Sequence, residues 1–183
     1  MISTFAEVTA RLDEIEIPYM VTGSFAMLVY VTARTTYDVD IIIELGDSAA
    51  GRFTAAFAPD HYVQESSVRR AIASQSMFNM VSFSTSFKVD CIIRKKTAVE
   101  KQKFERRQKA AIEGIEFWVI SKMDLILSKL AWARESLSER QFQDIRSLIE
   151  SGIDEEERAA FVEREGLSAV WAEFERWKTQ AAK

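Results

Sequence analysis

Apolar residues recur at helical spacing from the first turn of the chain. Phe5, Val8, Leu12 and Ile15 would share one helix face, Ser3 can cap it, and Pro18 ends it. Residues 19–21 predict a short strand, residues 22–24 a turn, and residues 25–31 a buried helix. The β-branched run 39–44 reads as a strand, and residues 48–57 as a helix closed by Pro59. Residues 61–64 predict a strand and 66–74 a short helix. Two apolar runs, 77–83 and 87–93, flank Ser84-Thr85-Ser86 and read as a hairpin. Residues 116–120 predict a last strand.

Beyond residue 120 the period changes from two to about 3.6 and no strand signal remains. Met123, Ile126, Leu127 and Leu130 form one stripe, Phe142, Ile145 and Ile149 a second, Val170, Phe174 and Trp177 a third. Ser121 with Asp124, and Ser138 with Gln141, have capping-box spacing. The pattern divides the chain into a mixed α/β core, 1–120, and a C-terminal region of three or four helices, 121–183. Trp118, Trp132, Trp171 and Trp177 fit the apolar pattern as core residues, and His61 beside Pro59-Asp60 fits a loop.

Composition narrows the chemistry. With one cysteine, Cys91, and one histidine, His61, neither an internal disulfide nor a His- or Cys-rich metal site can form. Glu7 interrupts the early apolar stretch, so no secretory leader is expected, and no apolar run approaches the ~18 residues of a membrane span. A cytoplasmic protein with no membrane partner is the expectation. The net charge of -4 hides an uneven distribution: residues 94–109 hold eight basic and two acidic side chains, residues 139–166 four basic and nine acidic. The basic stretch could follow a nucleic-acid backbone or form a solvated helix face.

Three carboxylates stand on the strands. Asp38 and Asp40 alternate with Val39, Ile41 and Ile43, so both point to one face while the apolar residues point to the other. Asp90 repeats the arrangement on its own strand, with Lys88 on the same face and Cys91 on the apolar one. A divalent cation would relieve the mutual repulsion of such a group, and hard oxygen donors suit magnesium. Neighbouring strands would let the three hold two cations about 3.5–4 Å apart. Gly23-Ser24 follows a strand and opens a helix, where free backbone N–H groups can hold phosphate. No P-loop or dinucleotide fingerprint is present.

Gly23-Ser24, then Asp38-Val39-Asp40, then Asp90 on a later strand together resemble the nucleotidyltransferase superfamily of polymerase-β type. The resemblance covers roughly residues 18 to 120. It implies a mixed β-sheet with flanking helices and magnesium-dependent transfer of a nucleoside monophosphate from a nucleoside triphosphate to an acceptor hydroxyl. By position, Asp38, Asp40 and Asp90 would hold metal and carry catalysis, and Gly23 and Ser24 would hold the triphosphate. Val21-Thr22-Gly23-Ser24-Phe25-Ala26, the segment 33–40 and the helix 121–130 followed by Gln143-Asp144-Ile145 are similar to small bacterial AbiEii-like toxin nucleotidyltransferases. That likeness implies tRNA or another RNA as acceptor, a cognate antitoxin as partner in a toxin–antitoxin pair, and Lys129 and Asp144 in the nucleotide-binding region. Arg34, ahead of the Asp38 strand, could grip phosphate through its planar fork.

The residues also admit plainer readings. Lys129 and Asp144 could simply pair across a helix hairpin, and Lys88 could simply neutralise the carboxylates. Besides the active enzyme, a nucleotide- or partner-binding module without turnover and a small-molecule, aminoglycoside-type nucleotidyltransferase fit the same pattern.

Overall fold

A computed structural model describes residues 2–32, 36, 38–136 and 138–181. The chain divides into two compact units: Met1–Val29 with Ala33–Ile120, and Tyr30–Thr32 with Ser121–Lys183.

In the first unit, α1 (Ile2–Glu14) buries Phe5, Val8 and Leu12 and ends where the Ile17 N–H closes back on the Leu12 carbonyl ahead of Pro18. β1 (Tyr19–Thr22) is buried at every position because it lies inside the sheet. α2 (Gly23–Ala26) is a single turn continued by a 3-10 turn at Met27–Val29. This is shorter than the helix expected over 25–31. Val29 and Val31 are β-branched and restrict the side-chain rotamers a helix allows.

β2 (Asp38–Ile43), a 3-10 turn, α3 (Ala50–Phe57), the two-residue β3 (His61–Tyr62) and α4 (Glu65–Ser74) follow. β4 (Met77–Ser82) and β5 (Lys88–Ile93) form the expected antiparallel hairpin. α5 (Ala98–Glu105) falls within the basic stretch read as a possible helix face, β6 (Gln108–Ile112) was not foreseen, and β7 (Ile115–Val119) completes the sheet. Glu113 and Gly114, both at positive φ, make the tight turn between β6 and β7.

The seven strands run in the order β3-β4-β5-β2-β1-β7-β6. β2 is parallel to β5 and antiparallel to β1, and β1 is parallel to β7, so the sheet is mixed. One face is apolar. Val39, Ile41 and Ile43 of β2 and Val89, Cys91 and Ile93 of β5 are all buried. Phe53 of α3 meets Phe78 of β4 edge-on at 5.5 Å, and Phe5 of α1 meets Phe117 of β7 at 4.9 Å. Truncating such a fully buried phenylalanine to alanine costs about 3–5 kcal/mol. Alternation leaves the opposite edge of each pleat to Asp38, Asp40 and Lys88, which are only half-buried.

The second unit contains α6 (Lys122–Ser136), α7 (Glu139–Glu150), α8 (Glu155–Arg164) and α9 (Ser168–Ala181). The Asp124 N–H donates to Ser121 Oγ at 3.1 Å, and that hydroxyl donates to the Asp124 carboxylate at 2.7 Å, so Ser121 caps α6 through its side chain. Ser138, by contrast, precedes α7 without a side-chain cap. Asp154 caps α8, accepting from the Glu157 N–H at 2.8 Å, and the acidic first turn suits the helix dipole. Phe142, Trp171, Phe174 and Trp177 pack as an aromatic cluster. Trp132, expected in the core, is 62% exposed; the buried side of the last turns of α6 is Leu130 and Ala133. Among the described residues no helix is long and apolar enough to cross a membrane.

Candidate active site

The sheet register builds the site. Across four neighbouring strands, Thr22, Asp40, Asp90 and Asn79 are successive partners. One step down, Asp38 partners Lys88, which partners Val81. Partners on adjacent strands share a face, and strands lie about 4.8 Å apart. Asp38, Asp40 and Asp90 therefore stand together on one side of the sheet.

Hydrogen bonds fix the outer two. Thr36 Oγ1 donates to Asp38 Oδ1 at 2.9 Å. Asp90 is buried, and its two oxygens have separate partners. Asn79 Nδ2 donates to Oδ1, and Lys88 Nζ lies 2.9 Å from Oδ2. The same ammonium lies 3.8 Å from Asp38 Oδ2. The hydrogen bond to Asp90 holds the Lys88 pKa above the usual lysine range, and the charges of Asp90, Asp38 and Asp40 add to it. A lysine cation thus stands among the carboxylates.

Gly23 is dictated by Asp40. Its φ is +65°, and a β-carbon there would overlap the Asp40 Oδ2 and lie 2.8 Å from Cγ. Only glycine permits both that backbone and that approach. The Gly23-Ser24 turn consequently sits directly against the β2 carboxylate, with Ser24 half-buried beside it.

In the second unit Lys129 Nζ lies 2.7 Å from Asp144 Oδ2 and 3.4 Å from Gln141 Oε1, with all three residues buried. The pairing across the α6–α7 hairpin is the plainer of the two readings of these residues. Arg34 lies outside the described residues.

The basic stretch 94–109 is divided. Arg94 pairs with Glu44 at 2.6 Å, and Lys103 is buried against Glu100 at 3.1 Å. The Arg107 guanidinium lies over Phe104 and Trp118, and the Lys109 ammonium over Trp118. Burial lowers the Arg107 pKa. Much of this charge is engaged in holding α5, β6 and β7.

Two of these polar contacts, one in each unit, were not read from the sequence. Asn79 could have been found as the polar residue alternating with apolar ones in Met77–Ser82, opposite Asp90 across the hairpin. Gln141 carried no such signal. His61, expected in a loop, is buried in β3.

The oxygen donors Asp38 and Asp40 fit magnesium by chemistry and by their common face. Among the described residues, however, no three His, Cys, Asp or Glu side chains form a ready-made metal cage.

No family model and no curated protein sequence matches the chain. Solved structures do. An antigenic nucleotidyltransferase-like protein from Paracoccidioides brasiliensis superposes with a TM-score of 0.66 at 15% identity, covering 98% of this chain and 89% of that one. The antibiotic-resistance factor ANT(2'')-Ia gives 0.63 at 16% identity, covering 98% and 100%. A lincomycin-bound lincosamide antibiotic adenylyltransferase gives 0.52 at 12% identity, covering 78% and 92%. At these identities the likeness establishes the fold, a mixed α/β nucleotidyltransferase fold.

Proposed function

We propose that this protein transfers a nucleoside monophosphate from a nucleoside triphosphate to an acceptor hydroxyl. The observation that carries the reading is the placement of Asp38, Asp40 and Asp90 on one face of the sheet, with Gly23-Ser24 packed against Asp40. Asp38 and Asp40 would hold magnesium, which when bound offsets the triphosphate charge and polarises the α-phosphate. The Gly23 and Ser24 backbone N–H groups and the Ser24 hydroxyl hold the triphosphate, and Arg34 adds a planar cation to it. Asp90, oriented by Asn79 and Lys88, accepts the proton of the attacking hydroxyl. The acceptor oxygen bonds to the α-phosphorus, the α–β anhydride bond breaks, and pyrophosphate leaves with the electron pair. Lys129 and Asp144 enter this reading as the pair that orders α6 against α7.

A small-molecule acceptor is favoured over RNA and over a toxin role. The cations of 94–109 that pair with Glu44 and Glu100 or stack on Phe104 and Trp118 offer no continuous strip for a phosphate backbone. One structural neighbour is an antibiotic-resistance factor by name and another a lincosamide antibiotic adenylyltransferase. The test is incubation with each labelled nucleoside triphosphate and magnesium, with total tRNA in one arm and hydroxylated small molecules in the other. Label should move in the second arm, chelation should stop it, and Asp40→Asn should slow it by about a hundredfold or more. Transfer unaffected by Asp40→Asn overturns the reading, and label on tRNA alone overturns the choice of acceptor.

A further inference from the structure

β4 is the second strand of the sheet, yet β3 shields it only at Val81 and Ser82. The hydrogen bonds at its two ends fix which backbone groups face out. The Ile93 N–H donates to the Ser76 carbonyl and the Ser82 N–H to the Phe87 carbonyl, both on the β5 side. The Phe83 N–H donates the other way, to the Asp60 carbonyl. Antiparallel alternation then turns the N–H and C=O groups of Phe78 and Met80 inward and those of Met77 and Asn79 outward. Among the described residues no strand stands beyond Met77 and Asn79. Nothing in the sequence blunts this edge: β4 contains neither charge nor proline.

A cleft of about 390 Å³ opens along these groups, and its walls come from both faces of the sheet. On one face stand Met77 and Val81, with Tyr62 beside Val81 as its register partner on β3. On the other lies α4, which packs on the side of buried Phe78 and contributes Ser67, Arg70 and Ala71. A cleft in the plane of a sheet, walled above and below, is the shape that an added strand fills, because its side chains alternate between the two walls. Tyr62 and Met77 are exposed although large and apolar, and so is Phe83 just beyond β4.

The two walls differ in chemistry. Tyr62, Met77 and Val81 make theirs largely apolar. The α4 wall carries Arg70, the one ionised side chain of the lining, with no lining carboxylate to oppose it. Glu65, on the same helix, is engaged by Arg69 at 2.7 Å. A second copy of this chain would bring another Arg70 to the same edge, like charge against like.

We infer that β4 accepts an extended segment of a partner protein as a further strand, with acidic side chains turned to Arg70 and apolar ones turned to Met77 and Tyr62. Main-chain hydrogen bonds to Met77 and Asn79 hold the segment, and its alternation of acidic and apolar residues selects it. Such docking is independent of the transfer reaction proposed above.

The probe is an acetylated, amidated pentapeptide of alternating glutamate and valine, added to the full chain and followed by amide hydrogen exchange. At ten times the dissociation constant, the Met77 and Asn79 N–H groups should exchange about tenfold more slowly than in the free protein. Those of Phe78 and Met80, already turned to β5, should not change. Glutamine in place of glutamate should weaken binding about tenfold, the worth of a charge-assisted hydrogen bond. Arg70→Glu should reverse the order and favour the lysine–valine counterpart. N-methylation of the valines and of the glutamates blocks opposite edges of the peptide, so one series should abolish binding and the other leave it intact. Unchanged exchange at Met77 and Asn79, equal tolerance of the two N-methyl series, or a glutamate preference retained in Arg70→Glu overturns the inference. A free protein that dimerises with these two amides already protected, and that the peptide does not dissociate, overturns it in favour of a second copy.

Discussion

In the sheet unit Lys88 reaches Asp90 at 2.9 Å; in the helical unit Lys129 reaches Asp144 at 2.7 Å. The first lysine side chain is 43% exposed and the second 5%. Distance hardly separates the two pairs, yet their surroundings give them different work. The Lys88 ammonium and its second partner, Asp38, are open to water, so the ammonium can yield to another cation. Removing one partner of the Lys129–Asp144 pair disturbs a charge in a low-dielectric interior. The site is built from exchangeable contacts, and the helices are held by one that cannot be exchanged.

Breaking the buried pair should have the largest effect. Lys129→Met removes the buried cation that Asp144 and Gln141 share and should cost about 3–5 kcal/mol by urea unfolding. Combining it with Asp144→Leu should recover most of that loss, since neither charge then remains buried. A cost below about 1 kcal/mol for the single variant would erase the distinction between the pairs.

His61 sharpens the comparison as a buried titratable group of the sheet unit, packed edge-on to Phe57 at 5.6 Å. Neither ring nitrogen makes a hydrogen bond of normal geometry among the described residues. Burial, and then the charge of Arg11, holds its pKa below the ordinary histidine value. The unfolded chain therefore binds the proton first. Stability attributable to His61 is complete above about pH 6.5 and falls as the pH drops toward the lower folded value. The slope for one proton is at most about 1.4 kcal/mol per pH unit. Denaturation midpoints taken between pH 7.5 and 5 should show the fall, and His61→Phe should flatten it.

Lys88→Met should have the smallest effect on stability, within about 1 kcal/mol, because the ammonium is open to solvent and Asn79 still donates to the buried Asp90. Its reading is instead in metal affinity. With the competing ammonium gone, magnesium should bind up to about fivefold more tightly by calorimetric titration, the equivalent of an exposed ion pair. Weaker magnesium binding would make Lys88 a supporting member of the site rather than an occupant that yields.

The parts of the fold legible in the sequence are those whose burial follows a strict period. Asp38-Val39-Asp40-Ile41 declares its two faces, and the matching alternation around Asp90 allows the carboxylates to be placed together before the register is seen. β6 was hidden because Lys109, Ala110 and Ala111 carry little strand preference and lie mostly exposed at the sheet edge, so nothing forces an alternation. The turn at Glu113-Gly114, between Ile112 and Ile115, was its visible sign. The single run of positive charge was equally misleading as one element: α5 and β6 divide it, and aromatic faces hold part of it. Asn79 and Gln141 show the limit for a site, because their significance lies in a partner on another element.

The three residues Tyr30–Thr32 belong with the helices although both of their neighbouring segments belong with the sheet. Tyr30 is tied there: Lys122 Nζ lies 5.7 Å from its ring centre, and burial with the charge of Asp124 raises its phenol to about 12. The backbone consequently crosses between the units three times, not once. Recombination at a single junction near residue 120 would separate α6 from a native contact, whichever side was exchanged. The helical part cannot travel between genes as a cassette in the way a tail appended by one linker can, and descendants of such an exchange would carry a mismatch at residues 30–32 that later substitutions must repair.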